Sequence, residues 1–598
     1  MNFSVMRSAL GFCLFIFFFC FSISSEAIEN YESPHLSYQD RSNLTDLNLS
    51  GQNLSAVHLN RSDMSRCILS NADLSGANLA GSEMRGAFLI KANLTEANME
   101  ETCLHESDLS SANLRGVNLV LSDLFGTNLT GADLTGANLE QSIISEAKLV
   151  GAKLDNTNLM ASDLNSSDLT DASLVRAYMR RAMLRNASLV RANITGASLV
   201  GANLMYADLS RADLRGSDIS EARLYGAKFI DSNMSKSNVI FANLTGTNFS
   251  RADLSGSVLK GSSFSHADMS YADLSDADLS DAELREATLT GAKLNRVNAS
   301  GACMDGADLT RADLSDADLD DSNMHNVKLV EAKLIGADAT GACIEDSDLR
   351  GADLTGMRLV ETNLVSSNMK GLNMHRANAM SAKMSWADLS DSCLSESQLL
   401  RVEFYGTNLS NSDLSKADLT RAYMMRANLT GADLSGAHLS YSDLSNANLK
   451  YANLNSANLY GTALNGADLT GADLVSANLQ GLNLIGSNFY QTNLEGATLQ
   501  GPMLIQDVNL STSHLRNARL ELILLKNVSL AGADLRRANL TMIMMTEVDL
   551  SNANLESIKY DKFSLQNLLN SKLNGTRMSG DLKNDLESLR TMQMEYQE

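Results

Sequence analysis

From Ser42 to Leu504 the chain repeats one five-residue pattern without a slip, over about 460 residues. A small residue, usually Ala and otherwise Ser or Thr, stands at numbers ending in 2 or 7. A bulky apolar residue, usually Leu, stands at numbers ending in 4 or 9. Ala72-Asp73-Leu74-Ser75-Gly76 shows the unit, and Ala432-Asp433-Leu434-Ser435-Gly436 repeats it far downstream. A fixed short period means a solenoid whose units cannot bury a core alone. Five matches neither the 3.6-residue helix period nor plain two-residue alternation, so neither ordinary element can persist. In extended backbone the small and large residues, two apart, point to the same side, and the next unit must turn a corner to bring its own pair inward. Four units closing a square coil of about 20 residues is the economical solution, with Leu stacking on Leu and Ala on Ala about 4.8 Å apart.

These units resemble the pentapeptide repeat family, whose pattern is A-(D/N)-L-x-x with the Leu central. The resemblance covers about nine-tenths of the chain and implies an all-β fold, a right-handed quadrilateral β-helix of about 26 coils. At ordinary strand spacing such a rod is about 120 to 130 Å long. The family motif is structural, so it carries over no site residues, catalytic or otherwise.

Both prolines, Pro34 and Pro502, fall at edges of the regular array, where ladder donors are not needed. Residues 1–27 stand outside the pattern: Arg7 gives a short basic start, Ala9 to Phe21 is apolar and rich in Phe, and Ser25-Glu26-Ala27 fits a small-x-small cleavage site. This reads as a secretory signal, because the apolar run is shorter than the roughly 20 residues of a membrane anchor. The expected product starts near Ile28 and is secreted, periplasmic or extracellular, with residues 28–41 as a polar N-terminal cap. Of the cysteines remaining after cleavage, Cys67, Cys103, Cys303, Cys343 and Cys393, Cys303 and Cys343 fall on the same side two coils apart, and the others fall on different sides or far away. At about 9 to 10 Å, Cys303 and Cys343 are too far apart for a disulfide.

Met replaces Leu at centres such as Met64, Met84, Met234, Met324, Met374 and Met424, where an adaptable side chain fills an inward slot. Ala299, Ala339 and Ala379 take centres in a 40-residue duplication, which should leave the core under-filled or pinched there. At Gly501-Pro502 the register slips by one, predicting a bulge, with a shifted continuation over 505–570. The segment 571–598 should cap the end, because Leu582, Leu586 and Leu589 have helical spacing over Asp581 to Tyr596, with Ser579 as the start.

Three outward groups are candidates for binding. Tyr405, Tyr423, Tyr441, Tyr451, Tyr460 and Tyr490 gather late in the chain, and exposed aromatics anchor partners. Arg176, Arg180, Arg181, Arg185 and Arg191 crowd one coil, a candidate patch for an acidic partner or phosphate. Asp273, Asp276, Asp278, Asp281 and Glu283 recur as Asp313, Asp316, Asp318, Asp320 and Asp321. The simpler reading of both charged groups is a solvated surface in which Asp before Leu also bonds local backbone. The N-x-[ST] triplets, such as Asn93-Leu94-Thr95 and Asn243-Leu244-Thr245, arise from the repeat itself.

Catalytic signals are absent. His58, His105, His266, His325, His375 and His438 are dispersed without ligand spacing, and no phosphate-binding glycine loop occurs. No cofactor or metal is implied. A net charge of −23 argues against direct nucleic-acid binding. The expected function is a non-catalytic exported scaffold, an acidic rod presenting flat sides to a protein or cell-surface partner, with no stable transmembrane anchor and its oligomeric state open. The resemblance supplies an alternative, since some members of that family mimic duplex DNA and inhibit type II topoisomerases, but export would separate this chain from DNA. A third class, a carbohydrate-active β-helix enzyme, needs paired carboxylates in a cleft, which convex solvated sides do not offer.

Overall fold

The computed structural model describes residues 42–595. The signal segment, the N-terminal cap and Tyr596 lie outside these residues. Two compact units divide the chain, one ending at Asp278 and the other beginning at Leu279. Each is a parallel β-helix with a coil of 20 residues: in the first unit Asp73 pairs with Asn93 and Asn93 with Asn113, and in the second Asp413 pairs with Asp433 and Asp433 with Asn453.

One repeat shows how the pattern builds a side. The Leu74 amide donates to the Asn93 carbonyl of the next coil (2.7 Å), and the Asn93 amide donates back to Ala72 (2.9 Å). The Ala77 amide then closes the corner on the Leu74 carbonyl (3.0 Å). Gly76, third in that turn, has φ +62°, as a type II turn requires. The residue before each Leu stabilises the corner: Asp73 Oδ1 accepts from the Ser75 amide (3.1 Å) and from Asn93 Nδ2 (2.8 Å). This accounts for the Asp and Asn bias of the repeat, and Asp313 in the acidic band bonds Ser315 in the same way.

Many of these carboxylates, including Asp63, Asp73 and Asp549, are held below their ordinary pKa, chiefly by hydrogen bonds from the Ser two residues on. A depressed carboxylate contributes stability above its unfolded pKa and loses it as pH falls through the folded one. The thermal midpoint should therefore stay level from pH 7 to 5 and drop below about pH 4, as circular dichroism melts would show.

Inward, Ala and Leu are almost fully buried, as are Met64, Met84, Met234, Met324, Met374 and Met424. Ser and Thr at the small positions usually bond a carbonyl of the corner, as Ser82 Oγ does with Leu79 (2.6 Å). The hydroxyls of Ser62, Ser237 and Ser322 have no partner. Ser237→Ala should thus raise the stability of its unit by about 1 kcal/mol or more, because it removes a buried unpaired group, whereas Ser82→Ala should not. Paired urea titrations would check this. Near Ala299 an apolar cavity of about 10 Å³ lies among Leu279, Leu294, Ala299 and Leu319, the under-filling expected there. The five described cysteines are free thiols, and Cys67, buried with its Sγ on the Leu44 carbonyl, is pushed up to about 11 by burial.

The slip is a bulge inside β1 (Thr498–Gln506), between Gln500 and Met503, where β1 pairs in parallel with β2 (Arg519–Lys526). It corrects the end of the first register. Leu504 points outward, 38% exposed, while Met503 and Ile505 enter the core. The inserted residue at Gly501-Pro502 has already shifted the phase by then. β3 (Met544–Thr546) extends the sheet as β1-β2-β3.

The coils do not run unbroken to residue 570 as expected. Asp561 caps a helix, α1 (Lys562–Leu569), by accepting from the Ser564 amide (2.7 Å), and Leu565 packs from that helix. Asp561, Ser564 and Asn567, one helical turn apart, accept the amides of Met542, Ile543 and Met545, which would otherwise be an open strand edge. After α1 the chain pairs again: β5 (Arg577–Met578) lies on β4 (Asn554–Leu555). α2 (Gly580–Glu595) then covers the end with buried Leu582 and Leu586, and Tyr560 Oη donates to Asp585 (2.8 Å). Among the described residues no helix is long and apolar enough to cross a membrane.

Candidate interaction surface

Because each coil before the slip is 20 residues, the side on which an outward residue stands there follows from its number. Within each unit the four sides can be named by their core centres. Side 1 runs through Leu164, Leu184 and Leu204 in the first unit and through Met324, Ile344, Leu364, Met384, Phe404 and Met424 in the second, and sides 2, 3 and 4 follow in chain order within each.

The arginines do not form a patch. Arg176 stands at the corner after side 3, Arg180 and Arg181 at the corner after side 4, Arg185 after side 1 and Arg191 after side 2, so one coil distributes them around its perimeter. Four consecutive repeats in sequence are four directions in space. Arg191 is paired with Asp171 at 2.6 Å, and Arg185 lies 5.8 Å from the Tyr206 ring centroid.

The tyrosines also separate. Tyr451 and Tyr490 occupy the corner between sides 2 and 3. Tyr441 and Tyr460 meet edge to face at 5.5 Å on the diagonally opposite corner, where side 1 begins. Tyr423 stands in the middle of side 1, and Tyr405 at its far corner is half-buried rather than freely exposed.

Side 1 carries the constellation that the sequence reading missed. Trp386, the chain's single tryptophan, meets Tyr405 edge to face at 5.2 Å, and Arg426 stands 5.9 Å from the same tyrosine ring on the next coil. The tryptophan ring lies across Gly406, where a Cβ would come within 2.6 Å of ring carbons. Glycine one coil after a corner aromatic recurs at Tyr206/Gly226, Phe241/Gly261, Tyr441/Gly461 and Tyr451/Gly471. That 20-residue pairing was the available signal. Trp386 nevertheless remains 59% exposed and Tyr423 51%, large values for such side chains.

Across the middle of side 1, Lys383, Glu403 and Tyr423 are successive ladder neighbours. Arg401 and Arg421 stack one coil apart at the near corner. Among the described residues no carboxylate lies within ion-pair distance of Lys383, Arg401, Arg421 or Arg426. In a chain of net charge −23 these three coils form a local cationic, aromatic surface. Its one carboxylate is Glu403. Among the described residues no three His, Cys, Asp or Glu side chains converge as metal ligands.

The family model described as pentapeptide repeats matches eighteen segments, from 42–81 to 505–541, and together they span most of the chain. Among solved structures, HetL, a pentapeptide repeat protein involved in heterocyst differentiation regulation from the cyanobacterium Nostoc sp. strain PCC 7120, is 30% identical. That match covers 34% of this chain and 88% of HetL, with a TM-score of 0.27. Rfr23, a pentapeptide repeat protein from the cyanobacterium Cyanothece 51142, is 31% identical over 21% of this chain and 89% of its own, with a TM-score of 0.11. QnrB1, a plasmid-mediated fluoroquinolone resistance protein, is 23% identical over 33% of this chain and 89% of its own, with a TM-score of 0.21. No curated protein matches the chain. With the repeat matched from residue 42 to residue 541 and the 20-residue coil seen in both units, the chain belongs to the pentapeptide repeat family.

Proposed function

We propose that this protein is an exported, non-catalytic scaffold that binds a protein or cell-surface partner through a side of its β-helix. The observation that carries the reading is the grouping on one side of exposed Trp386 and Tyr423 with half-buried Tyr405 and with Arg426. Aromatic and Arg side chains are the groups enriched where interfaces concentrate their binding energy. The regular coils supply what such a site needs, a backbone that holds the rings in place. The sequence of residues 1–27 supports export, with cleavage near Ala27.

The test is localisation of tagged full-length protein together with N-terminal sequencing of the mature form. Export with a start near Ile28 is the expected result. A cytoplasmic protein retaining residues 1–27 would overturn export. It would also make a topoisomerase inhibition assay the next measurement, because the DNA-mimic alternative requires the protein to meet DNA.

A further inference from the structure

Side 1 of the second unit changes sign along its length. On the three coils centred on Met324, Ile344 and Leu364, the side and its two corners carry Asp320, Asp321, Glu345, Asp346 and Glu361, with no Lys or Arg. The carboxyl of Asp320 is held above its ordinary range, first by desolvation and then by Asp321, Asp338 and Asp318, which shows how closely the acids crowd. On the next three coils, centred on Met384, Phe404 and Met424, the same side carries Lys383, Arg401, Arg421 and Arg426 against one acid, Glu403. The two halves are equal in length and opposite in charge.

We propose that this side is a homodimer interface, in which two copies lie antiparallel with the acidic coils of each on the cationic, aromatic coils of the other. The register follows from symmetry. A two-fold axis along the strand direction, between the Leu364 and Met384 coils, reverses the coil order and keeps each corner against its own kind. The Met424 coil then faces the Met324 coil of the second copy, so Arg421 meets Asp320 and Asp321. Arg401 lies one coil from Glu361, and Arg426 one coil from Asp346, about 4.8 Å of lateral offset that an arginine spans. Trp386 stands beside the axis, opposite Val365 and Ser366, so the large aromatic occupies the centre where anchors concentrate. A two-fold axis along the rod would instead set acid on acid and base on base.

Eight coils from Met304 to Leu444, four on either side of the axis, give a strip about 38 Å long, and five extended residues give about 16 Å of width. Two such strips bury roughly 1,200 Å², at the low end of specific interfaces, so the association should be salt-sensitive and concentration-dependent.

The proposal rests on reading this side as an interaction surface but not on export. An exported monomer would overturn self-association alone, and a cytoplasmic dimer would overturn export alone. The experiment is sedimentation velocity on the full chain from 1 to 100 µM at low and high salt, with Trp386 emission read in parallel. A dimer that dissociates at high salt is expected, with a blue shift of Trp386 on association. Arg421→Glu and Asp321→Arg should each weaken it at least tenfold without moving the thermal midpoint of the monomer at high salt, and the double variant should restore it. A monomer throughout, as for a surface kept for an acidic partner of another kind, would overturn the proposal, and so would a dimer indifferent to both single reversals or not restored in the double variant.

Discussion

Phe249→Ala should cost the first unit about 3–5 kcal/mol, the range for removing a buried phenyl ring from a close-packed core. Phe249 is fully buried and lies parallel to Phe229, with centroids 4.6 Å apart and planes 8° apart, while Phe264 packs on it at 5.9 Å. The loss therefore includes the ring's transfer from water, the cavity it leaves, and an aromatic contact of about 0.5–1.5 kcal/mol. Coils contact only their neighbours, so the damage should be local, and stability along the unit should become uneven rather than uniformly lower. Hydrogen exchange is the suitable measurement. Amides of the coils around Phe229 and Phe264 should lose protection by two orders of magnitude or more, and those near Leu74 should keep theirs. Phe241→Ala is the control, because that ring is 66% exposed at a corner and should cost under about 1 kcal/mol. Equal effects for the two variants would sink the inward-outward assignment on which the fold rests.

That assignment was legible because the period states it. Ala72, Leu74 and their repeats recur on one phase for so long that burial could be read from residue number, and a one-residue slip could be seen at Pro502. What the sequence hid was the third dimension of the surface. Arg176 to Arg191 look like a cluster on paper, but a 20-residue coil sends them to four corners. Trp386, Tyr405 and Arg426 are scattered on paper, and that same coil gathers them. Proximity along a solenoid is measured in steps of 20, and a reading made residue by residue counts it wrongly. The helix α1 was hidden differently. Leu565 falls by coincidence on the phase set by Leu550 and Leu555, so the period masked the cap signal of Asp561 and Ser564. Stop signals in a repeat have to be sought against the pattern, because the pattern tolerates them.

The same cap carries the second large effect. A chain ending at Tyr560 should lose its last coil and associate end to end. α1, β5 and α2 together bury Leu565, Leu568, Leu582 and Leu586 against that end, worth about 6–12 kcal/mol at about 1.5–3 kcal/mol for each side chain. They also satisfy the edge. Removing them strands the amides of Met542, Ile543 and Met545, and that of Leu550, which donates to Lys572 at 2.9 Å. An uncovered parallel edge with free donors and an apolar rim is a template for another chain, and a solenoid without its terminal cap loses solubility. Asp561→Ala is the graded version. It removes both the α1 cap and the acceptor for Met542, and should cost about 1–2 kcal/mol while leaving the helix folded. Light scattering after size exclusion separates the outcomes. Open-ended oligomers that grow with time are expected for the truncated chain, and an unchanged elution profile for Asp561→Ala. A truncated chain as soluble and as heat-resistant as the full one would mean that the last coil is self-sufficient, and the two helices would then need another explanation.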